Sequence, residues 1–108
     1  MDERRKEPRV PLDCPVFATL RFGDGEQVFC LLQDVSESGA RIALPPGEPV
    51  ERIAVGGYVE FTEPSVSYDE AAVPAAEIVW TDGSVFGVRF ANDAEVNRLL
   101  LAALLAGI

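Results

Sequence analysis

Residues 14–22 (CPVFATLRF) alternate in polarity, with Val16, Ala18, Leu20 and Phe22 on one side. That period of two predicts a half-buried strand. Gly23-Asp24-Gly25 follows as a hairpin signal, and residues 26–35 (EQVFCLLQDV) predict the return strand. A two-residue turn at Asp24-Gly25 sets Ala18 opposite Leu31 and Leu20 opposite Phe29, apolar against apolar. Beyond the SESG turn at 36–39, residues 40–44 (ARIAL) predict a third strand, stopped by Pro45-Pro46-Gly47. Residues 58–62 predict a fourth strand, and 63–72 a polar, small-residue loop. Residues 73–81 and 84–90 predict a second hairpin around Asp82-Gly83, with Pro74 at the start or edge of its strand.

From Asn92 onward the period changes. Asn92 or Asp93 can cap a helix, Glu95 stands in capping-box-like spacing to Asn92, and Gly107 suits the stop. Val96, Leu100, Ala103 and Leu104 share the face that packs on the barrel. Leu101 and Leu105 extend it on one flank, and Leu99 lies off the other side. This surplus of apolar surface predicts a weak homodimer through the C-terminal helix; the competing reading is a wide groove that takes the whole helix.

Six short strands and one helix define the fold class: all-β, a six-stranded antiparallel β-barrel with a C-terminal α-helix. Closure is favoured because an open sheet would leave sticky edges. The 108 residues fit a single domain over 1–108, divided into a flexible arginine-bearing arm (1–11), the barrel (12–91) and the helix (92–107). Pro8 and Pro11 stiffen the exit from the arm.

Charge changes the picture most. The formal net charge of −9 argues against general nucleic-acid binding. Yet Arg4, Arg5, Lys6 and Arg9 gather at the N-terminus, so a cationic arm precedes an acidic body. The bland reading of that arm is a solvated tail; the functional one is anion recruitment. The charged N-terminus lacks an apolar signal region, and the run Leu99–Ile108 is too short to span a bilayer, so a soluble cytoplasmic protein without membrane contact is expected. The two cysteines, Cys14 and Cys30, are not cross-strand neighbours in the expected register and read as reduced, packed thiols. With no histidine, a metal site and the usual enzymatic triads are unexpected, and no phosphate loop or dinucleotide fingerprint is present. The chain is expected to be no enzyme and to need no cofactor.

Two short patterns remain. One is Arg5-x-x-x-Arg9 with Arg4 beside it; the other is Asp34-x-Ser36-x-x-Gly39 after the second strand. Singly, each has a structural explanation: Asp34 and Ser36 cap a turn, and Gly39 supplies a positive φ. Together, ahead of GARI, the Ile78-Val79-Trp80 and Gly87-Val88-Arg89-Phe90 hairpin and a final helix, they resemble the PilZ domain family of bacterial cyclic di-GMP receptors. The resemblance implies a non-catalytic second-messenger signalling module with cyclic di-GMP on the barrel's outer face, bound by Arg4, Arg5, Arg9, Asp34, Ser36 and Gly39. The chemistry agrees. Arginine forks pair with phosphate or with guanine O6 and N7, and an ionised aspartate accepts from guanine N1 and N2. A glycine leaves room for close approach. Arg41 either faces the same anion or pairs with a surface carboxylate, and Trp80 either lines the ligand face or packs the barrel. Output is expected through an unidentified downstream protein acting in trans. The alternative is a PilZ-like interaction module that does not bind nucleotide.

Overall fold

The computed structural model describes residues 10–64 and 73–106. Six strands appear in chain order: β1 (Val10–Arg21), β2 (Gln27–Val35), β3 (Gly39–Ala43), β4 (Tyr58–Glu63), β5 (Ala75–Asp82) and β6 (Val85–Phe90). A short 3-10 turn at Val50–Arg52 precedes β4, and α1 (Ala94–Leu105) ends the described chain. The strands pair antiparallel in the closed order β1-β2-β3-β6-β5-β4, with β4 returning to β1. Closure leaves no strand with an unpaired edge to template association.

Alternation builds the core. Leu20, Cys30, Val35, Ile42, Val59, Phe61, Ile78 and Phe86 point inward and are buried. Phe61 and Phe90 meet edge to face at 5.8 Å, a favoured geometry for two ring quadrupoles. Helix α1 packs on β1 and adds Leu100 and Leu104 to the same core, while Leu101 and Leu105 lie partly buried against it. Leu99 alone among the helix leucines is exposed, and Ala103 is half-buried.

The first hairpin corrects the expected register by one residue. Ala18 pairs with Cys30 and Leu20 with Val28, not with Leu31 and Phe29. The cause is a longer loop. Gly25 (φ 89°) closes a three-residue connection in which Gly25 N donates to Phe22 O, and Phe22 N donates to Glu26 O. Because the side-chain period is two, that slip turns Phe29 and Leu31 outward and Cys30 inward. Further along, the register shifts between Pro11 and Val16. Pro11 and Pro15 cannot donate to a ladder there. Val35 therefore pairs with Val10, and β1 starts earlier than the expected strand.

The second hairpin turns through Gly83-Ser84, since Asp82 pairs with Val85 and Gly83 takes φ 63°. Asp93, not Asn92, caps α1: its carboxylate accepts from Val96 N at 2.9 Å. Asn92 instead clips the chain to β5, accepting from Ala75 N and donating to Ala75 O. With Asp93 at the cap, Asn92 stands one residue outside the capping-box position. The expected stop at Gly107 lies outside the described residues.

Candidate functional site

Cross-strand pairing sets out the site as rows on the outer face. Asp34 on β2 is opposite Arg41 on β3, Arg41 is opposite Gly87 on β6, and Gly87 is opposite Trp80 on β5. At a strand spacing of roughly 4.8 Å this row crosses about 14 Å of surface. One residue along, Val35, Ala40, Val88 and Ile78 point inward. The next outward row holds Gly39, Arg89, Glu77 and Tyr58.

Both ends of the first row are turned outward by breaks in the ladder. Leu32 faces Ile42 and Asp34 faces Arg41, so Gln33 and Asp34 share one bulge and neither is buried. Strict alternation from Leu32 would have buried Asp34. On β5 the register shifts between Ile78 and Trp80, leaving Val79 and Trp80 both exposed. A bulge re-aims a side chain, and here two of them aim an acid and an aromatic at the same surface.

The turn that follows β2 is tied internally. Ser36 N donates to Gly39 O at 2.8 Å, and Ser38 N donates to Ser36 Oγ at 3.3 Å. Ser36 is the buried polar residue of the described chain, with its hydroxyl turned to Ser38 and the Gly39 carbonyl. The turn-capping explanation thus holds for Ser36. It fails for Gly39, whose φ is not positive. A Cβ at Gly39 would overlap the Val88 carbonyl, so glycine is required there for β3 to lie close on β6. Gly87 plays a parallel part: a Cβ there would run into the indole of Trp80, which lies over it. Trp80 is therefore an outer-face residue, 39% exposed, with its indole packed over the β5–β6 ladder.

The charges on this face are matched. Arg41 Nε lies 3.5 Å from Asp34 Oδ2, and Arg89 donates to Glu77 at 2.7 Å. Arg41 thus pairs with a carboxylate that is itself one of the expected site residues. Arg89, Glu77 and Tyr58 were not singled out from the sequence. Arg89 alternates with buried Val88 and Phe90, which marks it as outward, but its position beside Gly39 depends on pairing between strands half a chain apart.

Arg4, Arg5 and Arg9 lie outside the described residues. What the structure fixes is where the chain enters the barrel: Val10 pairs with Val35 and Pro11 with Asp34. Arg9 is one peptide bond from Val10, and Ser36 is one from Val35.

Cys30 is a free, buried thiol whose pKa burial pushes up to about 12, with Glu48 adding to the rise. It is protonated at ordinary pH and packed as an apolar group, not poised as a nucleophile. No cluster of potential metal ligands occurs among the described residues, and no described helix is long and apolar enough to cross a membrane.

The PilZ domain family model matches residues 3–107, almost the whole chain. The chain belongs to the PilZ domain family. No curated protein matches it in sequence. Among solved structures, the PilZ domain of YcgR from Escherichia coli, with c-di-GMP, aligns at a TM-score of 0.65 and 19% identity, covering 96% of this chain and 91% of that one. The K. pneumonia MrkH–c-di-GMP complex aligns at 0.55 and 17% identity, covering 98% of this chain and 52% of that one. This PilZ chain therefore spans about half of MrkH, and at such identities the likeness to both is one of fold.

Proposed function

We propose that this PilZ domain is a cyclic di-GMP receptor that performs no catalysis, needs no cofactor and changes its protein contacts when the nucleotide binds. Both solved relatives are c-di-GMP complexes. The observation that supports the reading is the pairing of Val10 with Val35 and Pro11 with Asp34, which starts β1 beside the strand end that carries Asp34 and leads into the Ser36–Gly39 turn.

In this reading Arg4, Arg5 and Arg9 clasp phosphate and guanine from the arm. Asp34 accepts from guanine N1 and N2, and Ser36 adds one bond from the turn. Gly39 serves by keeping that turn seated on β6. Arg41 lies 3.5 Å from Asp34, so a guanine edge received by that carboxylate would lie beside its guanidinium, which can also face the ligand's phosphate. Trp80 offers a ring at the far end of the row. Four or five charge-assisted hydrogen bonds are worth a gross ~6–15 kcal/mol. Ordering the arm costs about 1–2 kcal/mol per residue fixed. Micromolar binding, roughly −8 kcal/mol, lies within what such bonds can supply.

Calorimetry with cyclic di-GMP, against GTP and single-stranded DNA, tests the reading. Saturable heat is expected only with cyclic di-GMP. Arg9→Ala should lose on the order of 100-fold in affinity, as expected for one or two charged hydrogen bonds, with the ligand-free Tm unchanged. Full affinity in Arg9→Ala would remove the arm from the site. No heat with the unsubstituted protein would favour a PilZ-like module that works by protein contact alone.

Output is assigned to a downstream protein acting in trans. Self-association through α1 is the second route, favoured by exposed Leu99 beside the buried stripe of Val96, Leu100 and Leu104. Sedimentation equilibrium with and without nucleotide decides it: a mass that rises with concentration and reverts in Leu99→Lys supports a dimer through the helix, and a monomer throughout rejects it.

A further inference from the structure

On the outside of the first hairpin, Phe17 and Phe29 stack diagonally across β1 and β2, ring centroids 4.7 Å apart and planes within 13°. They are 44% and 59% exposed, so the stack presents its apolar surface to water rather than to the core. Half-buried Thr19 and Leu31 stand opposite them on the ladder. Beside the pair runs a groove of about 340 Å³, walled by Pro15, Pro64 and Ala103 of α1, with Glu63 on its rim. Two stacked, exposed rings beside a groove with a charge on its rim form a surface that a partner can cover.

We propose that this groove docks a basic, amphipathic segment of another protein, an apolar anchor seated on the Phe17–Phe29 stack and a lysine or arginine meeting Glu63. Charge selects the occupant. The chain carries a net −9, and Glu63 is the ionisable residue that lines the groove. Arg21, Arg41, Arg52 and Arg89 are each held by a carboxylate elsewhere on the barrel. A second copy would bring Glu63 and the same net charge, and its basic stretch, Arg4, Arg5, Lys6 and Arg9, holds Glu7 and Pro8 but no aliphatic or aromatic anchor for the stack. The chain's own segment beyond Pro64 carries Asp69 and Glu70, again the wrong sign. Nucleic acids and anionic lipid surfaces are excluded on the same ground. A basic protein segment alone matches both the aromatic slab and the acid beside it. The area on offer is small, so the contact is a weak, transient one. It does not depend on nucleotide binding, and its test contains no nucleotide.

The test uses the full chain, isotope-labelled, titrated with a synthetic amphipathic helical peptide bearing Leu and Phe on one face and Lys on the other. A second peptide has Glu in place of every Lys. The Lys peptide should shift amides around Phe17, Phe29, Glu63 and Ala103 and saturate with Kd on the order of 100 µM, at the weak end of protein contacts. The Glu peptide should bind at least tenfold more weakly. Phe17→Ala with Phe29→Ala should cost tenfold or more while spectral dispersion and Tm persist. Glu63→Lys, a surface change that leaves the stack intact, should reverse the peptide preference and carries the test alone if the double variant is unfolded. The proposal is overturned by equal affinity for the two peptides, by unchanged preference in Glu63→Lys, by shifts centred elsewhere, or by a homodimer that the phenylalanine substitutions dissolve.

Discussion

Asp34 and Phe29 both leave β2 on the outside of the barrel, and the surfaces they join differ in kind. Phe29 follows from regular alternation: once the hairpin register is set, its neighbours Val28 and Cys30 are inside and it is outside. Asp34 follows from a break in that alternation, the bulge it shares with Gln33. The regular face is aromatic along the middle of β1 and β2, with Arg21 at its hairpin end. The broken face carries matched charges and one tryptophan. Ladder regularity places apolar area, whereas irregularity places individual side chains, because a bulge can turn one residue against its strand's period.

The sharpest way to break this comparison is Gly39→Ala. Its Cβ would overlap the Val88 carbonyl, backbone that cannot step aside, so the bulged face should lose its seating on β6. The expected cost is about 3 kcal/mol, in the range of overpacking or strained backbone, read as a Tm fall on the order of 10–20 °C in thermal unfolding. An unchanged Tm would mean that β3 has room to move and that glycine is there for the ligand. Gly87→Ala is a smaller perturbation, since it meets a side chain and not backbone. It should cost about 1 kcal/mol and push Trp80 further into water. Trp80 is the chain's one tryptophan, so a red shift of its emission reports the displacement directly. Smallest is Arg41→Ala. The Asp34 pair is half open to solvent on the arginine side, so urea unfolding should change by less than about 1 kcal/mol. A larger loss would show that Asp34 needs that arginine to be tolerated in its partly buried position.

The same contrast explains what could be read from the chain alone. The barrel was legible because its inward residues alternate and its turns carry Gly and Asp, which have few other uses. Helix packing was legible because Leu100 and Leu104 recur at helical spacing. The motif Asp34-x-Ser36-x-x-Gly39 was legible as a pattern, but its geometry was not. Asp34 has the same parity as Cys30 and Leu32, and nothing local announces the bulge that separates them. Gly39 reads as a turn residue in the sequence because its real constraint comes from Val88, distant in the chain. The hairpin register slipped because Asp24-Gly25 fits a two-residue turn as well as it fits part of a three-residue one, and only Gly25's backbone decides. The place of Arg89 beside Gly39 is hidden for the same reason: both depend on β3 meeting β6.

That meeting has a consequence for how the barrel assembles in time. β1–β2 and β5–β6 are local hairpins that can form within microseconds. The β3–β6 ladder joins Gly39 to Arg89, and the β1–β4 ladder joins Thr19 to Glu63, so both seams wait on large loop closures. Barrels dominated by such pairings fold in milliseconds to seconds. If the seams zip after the rate-limiting step, a defect at Gly39 leaves the folding rate nearly untouched and appears as faster unfolding. The lifetime of the closed barrel, more than its speed of formation, is then what one absent methyl group protects.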